Sequence, residues 1–422
     1  MTDPRPLRLL LGAFGDPGHA FPMMALGARL AARGHEVWMQ TWTKWQQDVE
    51  AAGMRFAAAP EYRVFPQLGQ EPLKPYAAVA RATVDTVPLV EQLRPHAAVA
   101  DILTLAPALA AERCGVPCAT LIPHVDPRGE PGWPPYSSGA RPGGPIGRAL
   151  WALPNALVGW SLERGRVELN ETRARVGLPP LERHHGGISE QLVLVGSVPQ
   201  LEYPRRRPLP RTHLVGPLVW EPPAAPVAPP PGDDPLVVVA PSTSQDPDGH
   251  LLRAALDGLA DAPVRVLAAQ NRTSAAAARR LPPLRVPANA RLVPWMSYGQ
   301  VMPQADVVLC HAGHGTLLRA LAAGRPVIAI PAAGDMYENA ARLAWSGAGI
   351  RLPRRLAGGR VLRTAVLQAI RDPRYRQRAA AVADWVAAGD GTDRAAPLVE
   401  ALGARAPIPA PIPYHADDSG PG

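Results

Sequence analysis

Cysteine is scarce in this chain of 422 residues: Cys114, Cys118 and Cys310 are all of it. Three thiols are too few for a disulfide framework, and the gap in CGVPC does not match a zinc or redox pair, so a reducing compartment fits best. Lysine is scarcer still, with only Lys44 and Lys74. The net charge of +8 therefore rests on arginines spread through helical stretches beside glutamates. No basic block with interleaved aromatics appears, which argues against nucleic acid as a partner. The charge still favours anionic ligands in general. Long apolar runs are missing too. None reaches the roughly 18 residues of a membrane span, and the nearest, AAVADILTLAPALAAERCG, is interrupted by Asp101. The N-terminus passes from MTDPRP straight into RLLLGAF, without the basic, apolar and small-residue pattern of a secretory leader. These absences predict a soluble, cytoplasmic protein.

What is present is an alternation. Strand-like RLLLGAF, HEVWMQTW, HAAVADIL and PCATLIPH are separated by helical FPMMALGARLAARG and LAPALAAERCG. A second series runs through PLVVVAPS, LLRAALDGLADA, VRVLAAQN, ADVVLCHA, LLRALAAG and PVIAIPAA. Such alternation predicts parallel sheets with helices on both faces, so the fold class is α/β with two Rossmann-like domains. At 47% hydrophobic residues, each has enough material for a core. The boundaries follow from composition. Residues 1–215 form the first domain, 216–235 a stiff Pro-rich linker, 236–403 the second domain, and 404–422 a disordered tail. The stretch 377–403 reads as helical with a break at AAGDGTDR, and its last helix has the option of packing back on the first domain.

The turn HAGHGT, residues 311 to 316, follows the strand ADVVLC and precedes the helix LLRALAAG. In a parallel sheet, ligands bind beyond the carboxyl ends of the strands. Gly313 and Gly315 let the backbone approach a ligand, and the helix starting at Thr316 offers free N–H groups and a positive dipole end to phosphate. Zinc fits less well, because His311 and His314 have no third ligand nearby in sequence. A plain corner gives no packing reason for two histidines at a strand end. A phosphate cradle is the best supported of the three.

The whole run from Pro294 to Pro353 resembles the nucleotide-sugar signature of the UDP-glycosyltransferase superfamily, especially actinobacterial enzymes that glycosylate natural products. That resemblance implies a GT-B architecture, two Rossmann-like domains facing each other across a cleft. It also implies donor-binding roles. Trp295 would stack on the pyrimidine, with the Met296 backbone at its edge. His311, Gly313, Gly315 and Thr316 would hold the diphosphate, closed over by Ser242 and Thr243. Asp335 and Met336 would stand at the sugar hydroxyls. There are departures. Arg319 occupies a position where many members carry a ribose-binding glutamate, Ser297 and Tyr298 replace the usual Pro-Gln, and Met336 replaces a glutamine. The donor is thus left open between UDP- and TDP-sugars.

The first strand ends in GAFGDPGHAFPMMALGARL, where Gly12, Gly15 and Gly18 are spaced G-x-x-G-x-x-G and do not form a dinucleotide fingerprint. His19 enters a helix at the ligand-facing edge of the sheet. From the residues alone it is either a surface histidine or a base; by resemblance it matches the general base that takes the acceptor's proton. Asp101, at the end of the strand HAAVAD, is a helix-capping residue on one reading and, by resemblance, the carboxylate that orients the base. Together they imply inverting transfer of a sugar from the donor to a small hydroxylated aglycone, with neither metal nor other cofactor. Asp246-Pro247-Asp248 mimics a metal-binding D-x-D but reads as a turn and cap.

The segment IPHVDPRGEPGWPPYSSGARPGGP is too long for an ordinary connection. Its His124, Asp126, Trp133 and Tyr136 are weak candidates for an acceptor pocket, and equally suit packing of the loop on itself. After it, IGRALWALPNALVGWSLERGRVELNETRARVG has an apolar half and a charged half. Ordinary core is the expectation; a membrane-surface helix is the alternative. His184 and His185 carry no interpretation. Two further readings stay open, a lipid or sterol glycosyltransferase and a non-catalytic activator partner. Monomer and homodimer are equally compatible with the sequence.

Overall fold

The structure, a computed structural model, describes the chain apart from residues 1–4, 61–74, 137, 141, 143–146, 148–149, 183–185, 243–245, 247–248, 272–282 and 412–422. Thr243, His184 and His185 therefore lie outside the described residues.

Two parallel sheets carry the fold. The first is built from β1 (Arg8–Gly12), β2 (Glu36–Thr41), β3 (Arg55–Ala58), β4 (Ala97–Asp101), β5 (Cys118–Ile122), β6 (Leu192–Val195) and β7 (Thr212–Leu214). The second comprises β8 (Leu236–Ala240), β9 (Arg265–Ala269), β10 (Ala290–Val293), β11 (Val307–Cys310), β12 (Val327–Ala329) and β13 (Gly349–Arg351). Among the described residues the strand orders are β3-β2-β1-β4-β5-β6-β7 and β10-β9-β8-β11-β12-β13. Every pairing is parallel, and the central strands are apolar throughout because both faces are covered by helices. This is the doubly wound α/β architecture that the alternation predicts.

The first domain's helices are α1 (Pro17–Ala32), α2 (Gln46–Ala51), α3 (Pro75–Leu93), α4 (Leu105–Arg113) and α5 (Ala152–Arg175). The second domain adds α6 (His250–Leu259), α7 (Tyr298–Val301), α8 (His314–Ala322), α9 (Met336–Ser346), α10 (Gly359–Arg371), α11 (Pro373–Ala387) and α12 (Gly391–Gly403). Pro17 opens α1, where a missing N–H costs nothing. Asp390 caps α12 by accepting from Thr392 N at 2.7 Å, which explains the break between α11 and α12.

α12 returns to the first domain. Its Ala395, Val399 and Leu402 join the core formed by Leu9, Leu11, Met24 and Leu121. Arg33 and His35 both hold Glu400, at 2.5 and 2.8 Å. Disorder beginning at residue 404 is corrected for the first part of the tail, since Ile408 packs against that same core.

Helix α5 also departs from expectation. Ordinary core was predicted, yet Ala156 to Arg164 are exposed without interruption, and Leu153 and Trp160 keep 71% and 63% of their surface. Its C-terminal half is anchored through Leu169, Thr172 and Arg173, whose guanidinium meets Glu112 at 2.6 and 2.7 Å, and its first turn is tied to the preceding loop by Asn155 Nδ2, which donates to Trp133 O at 3.0 Å. Among the described residues no helix is long and apolar enough to cross a membrane.

Candidate active site

Each sheet reverses its strand order once in a way that opens a crevice beyond the strand ends, between β1 and β4 in the first and between β8 and β11 in the second. The candidate residues hang from these two points. His19 lies in the first turn of α1, just after β1, and Asp101 is the last residue of β4. Register pairs Gly12 with Ala100, so the next residue of β4 lies beside the loop that leads to His19.

Asp101 is 1% exposed, and its carboxylate is fully engaged. Oδ1 accepts from His19 Nδ1 at 2.8 Å and from Leu103 N at 3.4 Å, while Oδ2 accepts from Phe14 N at 3.1 Å. It does not cap α4, whose N-cap is Thr104. With Nδ1 given to Asp101, Nε2 is the nitrogen left to meet a hydroxyl. Burial works against a charged His19, but the hydrogen bond and charge of Asp101, with Asp16 and Asp335, outweigh it and raise its pKa above the ordinary value. Asp335 belongs to the other domain, so its field reaches the imidazole across the cleft.

The cradle forms at the second reversal. α8 begins at His314, two residues earlier than the sequence suggested, with Gly313 as N-cap. The N–H groups of its first turn have no carbonyl inside the helix to bond, which makes them donors to an anion. Ala312 adopts φ 67°, a left-handed conformation costing about 1–2 kcal/mol for a residue with a side chain. That strained carbonyl is held by Asn339 Nδ2 at 3.0 Å, and Asn339 also donates to Asp335 Oδ2 at 3.2 Å. The buried Asn339 thus ties the cradle to the carboxylate assigned to the sugar. At Gly313 a Cβ would lie 2.3 Å from His311 Nε2, whereas at Gly315 it would meet open space.

His311 Nδ1 donates to Ala240 O at 3.2 Å, and burial lowers its pKa more than that carbonyl and the charge of Asp335 raise it. His314 turns away from the cradle: its Nε2 donates to Gly196 O of the first domain at 3.0 Å, and burial pushes its pKa down to about 4.

A crevice of about 410 Å³ joins the two halves. Asp16, Gly18 and Phe21 line it from the first domain; Trp295, His311, Gly315, Thr316 and Arg319 line it from the second. Gly18, the residue before His19, and Thr316 therefore stand at the two walls of one cleft. Trp295 keeps 39% of its surface, enough to offer a ring face. Ser242 follows β8 at the same reversal and is half-buried. Met296 is packed in the core, leaving its backbone as the part available to a ligand.

Three of the candidate residues are packed against neighbours. Met336 is 7% exposed and its side chain belongs to the second domain's core. Asp126 is fully buried and accepts from Arg128 Nε and Nη2 at 2.9 and 2.6 Å, an ion pair that pins the loop beside a small cavity it shares with Trp133 and Tyr136. Trp133 is stacked on Tyr203 at 4.9 Å and set edge-on to Trp345 at 5.9 Å, which is packing. His124 and Tyr136 remain beside the cleft. Their rings stack at 5.7 Å, and His124 lies 6.2 Å from His19.

The domain contact is extensive. Arg342 of α9 donates to Glu202 Oε2 and Leu201 O of the first domain at 2.9 and 3.0 Å, and Val125, Val198 and Leu201 enter the second domain's core. Asp246 accepts from His250 N and Leu251 N, both at 3.2 Å, and from Arg354, so the D-x-D mimic begins with a helix cap. Among the described residues no group of three or more His, Cys, Asp or Glu side chains gathers for a metal.

Two parallel-sheet domains meeting at such a cleft have the GT-B architecture, and comparison with known proteins agrees. The model described as "Erythromycin biosynthesis protein CIII-like, C-terminal domain" matches residues 256–402. The chain is 30% identical to 4'-demethylrebeccamycin synthase of Lentzea aerocolonigenes, over 94% of its length and 99% of that protein's. It is 28% identical to O-mycaminosyltylonolide 6-deoxyallosyltransferase of Streptomyces fradiae, over 93% and 97%. The solved structure of CalG4, the calicheamicin glycosyltransferase, superposes with a TM-score of 0.73 at 22% identity, covering 95% of this chain and 99% of that one. The chain belongs to the UDP-glycosyltransferase superfamily, among the glycosyltransferases of natural-product biosynthesis.

Proposed function

We propose that this protein is an inverting glycosyltransferase that moves a sugar from a UDP- or TDP-sugar to a hydroxyl of a small, largely apolar natural product. One observation carries the proposal: the His19–Asp101 pair and the start of α8 occupy the order-reversal points of the two sheets, and the residues flanking His19 share one cleft with Gly315 and Thr316.

In this scheme the acceptor hydroxyl gives its proton to His19 Nε2 as its oxygen attacks the anomeric carbon. The bond to the diphosphate breaks, and the leaving oxygens gather charge against the α8 N–H groups and His311. Asp101 orients the imidazole and stabilises it once protonated. Asp335 accepts hydrogen bonds from sugar hydroxyls, and Trp295 stacks on the base. A single displacement inverts the anomeric centre. No step asks for a metal ion. The test is release of nucleoside diphosphate from UDP- and TDP-sugars in the presence of phenolic and macrolide acceptors. The product's anomeric configuration, read by NMR, checks the stereochemistry; retention would refute the single displacement.

A second reading, transfer to a lipid or sterol acceptor, is favoured by one observation, the exposed apolar first half of α5. Such a helix suits a membrane surface, where Trp160 and the leucines leave water. Co-sedimentation with vesicles separates the two readings, since a soluble-acceptor enzyme stays in the supernatant.

A further inference from the structure

Three neighbouring strands deliver side chains to one edge of the first sheet. β1 leads to His19, β4 ends in Asp101, and β5, which pairs with β4 through Leu121 and Asp101, leads to His124. The His19 and His124 rings stand nearly perpendicular, at 80°, with their centres 6.2 Å apart. His124 Nδ1 meets Val125 O at 2.8 Å, and because a carbonyl oxygen only accepts, that nitrogen carries the proton. Tyr136 Oη lies 3.4 Å from the same nitrogen. Nε2 makes no hydrogen bond among the described residues.

Burial holds the His124 imidazole below its ordinary pKa, against the Val125 carbonyl and the charges of Asp335 and Asp101. Near pH 7 it is neutral, and Nε2 offers a lone pair. His19 offers one as well, since its Nδ1 is given to Asp101. The two imidazoles differ in what stands behind them. A carboxylate behind His19 stabilises a cation, whereas His124 has a neutral carbonyl in that place. One ring is thus suited to take a proton and the other to accept a hydrogen bond. A sugar acceptor that displaces water from His124 without bringing a donor leaves this nitrogen unmet, which is costly in a shielded site. A second hydroxyl beside the reacting one meets it.

Resting on the glycosyl-transfer reading above, we infer that His124 is a specificity residue, and that the acceptor carries a second hydroxyl on the carbon next to the one that receives the sugar. The first hydroxyl loses its proton to His19 Nε2 as its oxygen bonds to the anomeric carbon and the bond to the diphosphate breaks. The second keeps its proton and donates a hydrogen bond to His124 Nε2. The aglycone class is then catechols and vicinal diols, and one hydroxyl of the pair receives the sugar.

The probes are esculetin and umbelliferone, two coumarins that differ by one hydroxyl adjacent to the phenol they share. With the full chain and a UDP- or TDP-sugar, kcat/KM for esculetin is expected to exceed that for umbelliferone by about tenfold or more, the worth of one hydrogen bond to an otherwise unmet group. A ratio below about threefold overturns the inference, and so does turnover of neither coumarin where other acceptors release nucleoside diphosphate. Release with no acceptor of any kind overturns the transferase reading itself, and this inference with it. His124→Asn keeps an N–H for Val125 O and removes the lone pair at Nε2, so the ratio of the two coumarins should fall to within about threefold. An unchanged ratio overturns the assignment. Should that variant fold poorly, His124→Phe, which keeps a ring against Tyr136, is read in the same way. Equal loss of turnover with both coumarins, in whichever variant folds, would show that His124 serves every acceptor alike and would remove the specificity role.

Discussion

His314, in the first turn of α8, donates from Nε2 to the carbonyl oxygen of Gly196 at 3.0 Å, so the helix proposed to receive the diphosphate is pinned to the opposite domain. Its pKa of about 4 makes it neutral under ordinary conditions and a link between the domains, not a cation for phosphate. The unfolded chain takes up a proton near pH 6.5 that the folded chain refuses until about pH 4. Stability contributed by this group is therefore present above pH 6.5 and lost as pH falls through that window.

Between pH 7 and pH 5 the loss from His314 alone is roughly 2 kcal/mol. Urea unfolding of the wild type and of His314→Ala checks it. The variant should be less stable at pH 7 by about 1–3 kcal/mol, having left a buried carbonyl without its donor, and should show a shallower decline towards pH 5. Parallel declines in the two proteins would remove His314 as the source.

Catalysis should likewise favour the neutral imidazole, although here the pKa is shifted the other way. His19 must be neutral to act as base, and Asp101, Asp16 and Asp335 raise its pKa, so kcat/KM is expected to climb with pH through a midpoint above 6.5. Asp101→Asn withdraws the main raising partner; the midpoint should shift down while kcat falls by about two to four orders of magnitude. A pH–rate profile with the same midpoint in both proteins would contradict the pairing.

His19→Ala should abolish transfer while leaving the dissociation constant for nucleoside diphosphate within about twofold, because the imidazole stands on the acceptor wall. Calorimetry and a product assay on the same preparation decide it. Near-normal turnover with ordinary acceptors would require another base.

With its Nδ1–H engaged by Ala240, neutral His311 has only a lone pair at Nε2, and it must take up a proton before that nitrogen can donate to a phosphate. Donor binding is accordingly expected to tighten as pH falls from 8 to 6, with uptake approaching one proton. Calorimetry in two buffers of different ionisation enthalpy measures that uptake directly. In His311→Ala the linkage should vanish and the affinity drop by about tenfold. A pH-independent dissociation constant in the wild type would mean that the backbone alone carries the anion.

Much of the fold was legible because helices alternate with apolar strands, and that period survives any tertiary detail. The loops at the ends of β1, β4 and β11 could be located for the same reason, which places His19, Asp101 and HAGHGT at strand ends, while the pairing of His19 with Asp101 was implied only by the family resemblance. Partners distant in sequence were not legible. Nothing near Glu221, a lone acid in a proline run, announces that it meets Ser297 and Arg319, and Asn339 gives no sign that it steadies Ala312. Helix α5 was misjudged because apolar composition predicts burial only when another surface is there to cover it. For Asp126 and Trp133 the sequence leaves pocket lining and loop packing equally open, because their contacts with Arg128 and Tyr203 depend on how the chain folds back.

The return of α12 to the first domain means that the order of the chain and the order of the solid body disagree at residue 391. A chimaera that exchanges donor halves between relatives by cutting once in the linker would carry Ala395, Val399 and Leu402 into a foreign core. A sound exchange has two junctions, one before β8 and one after α11, so that the final thirteen residues of regular structure travel with the half they complete.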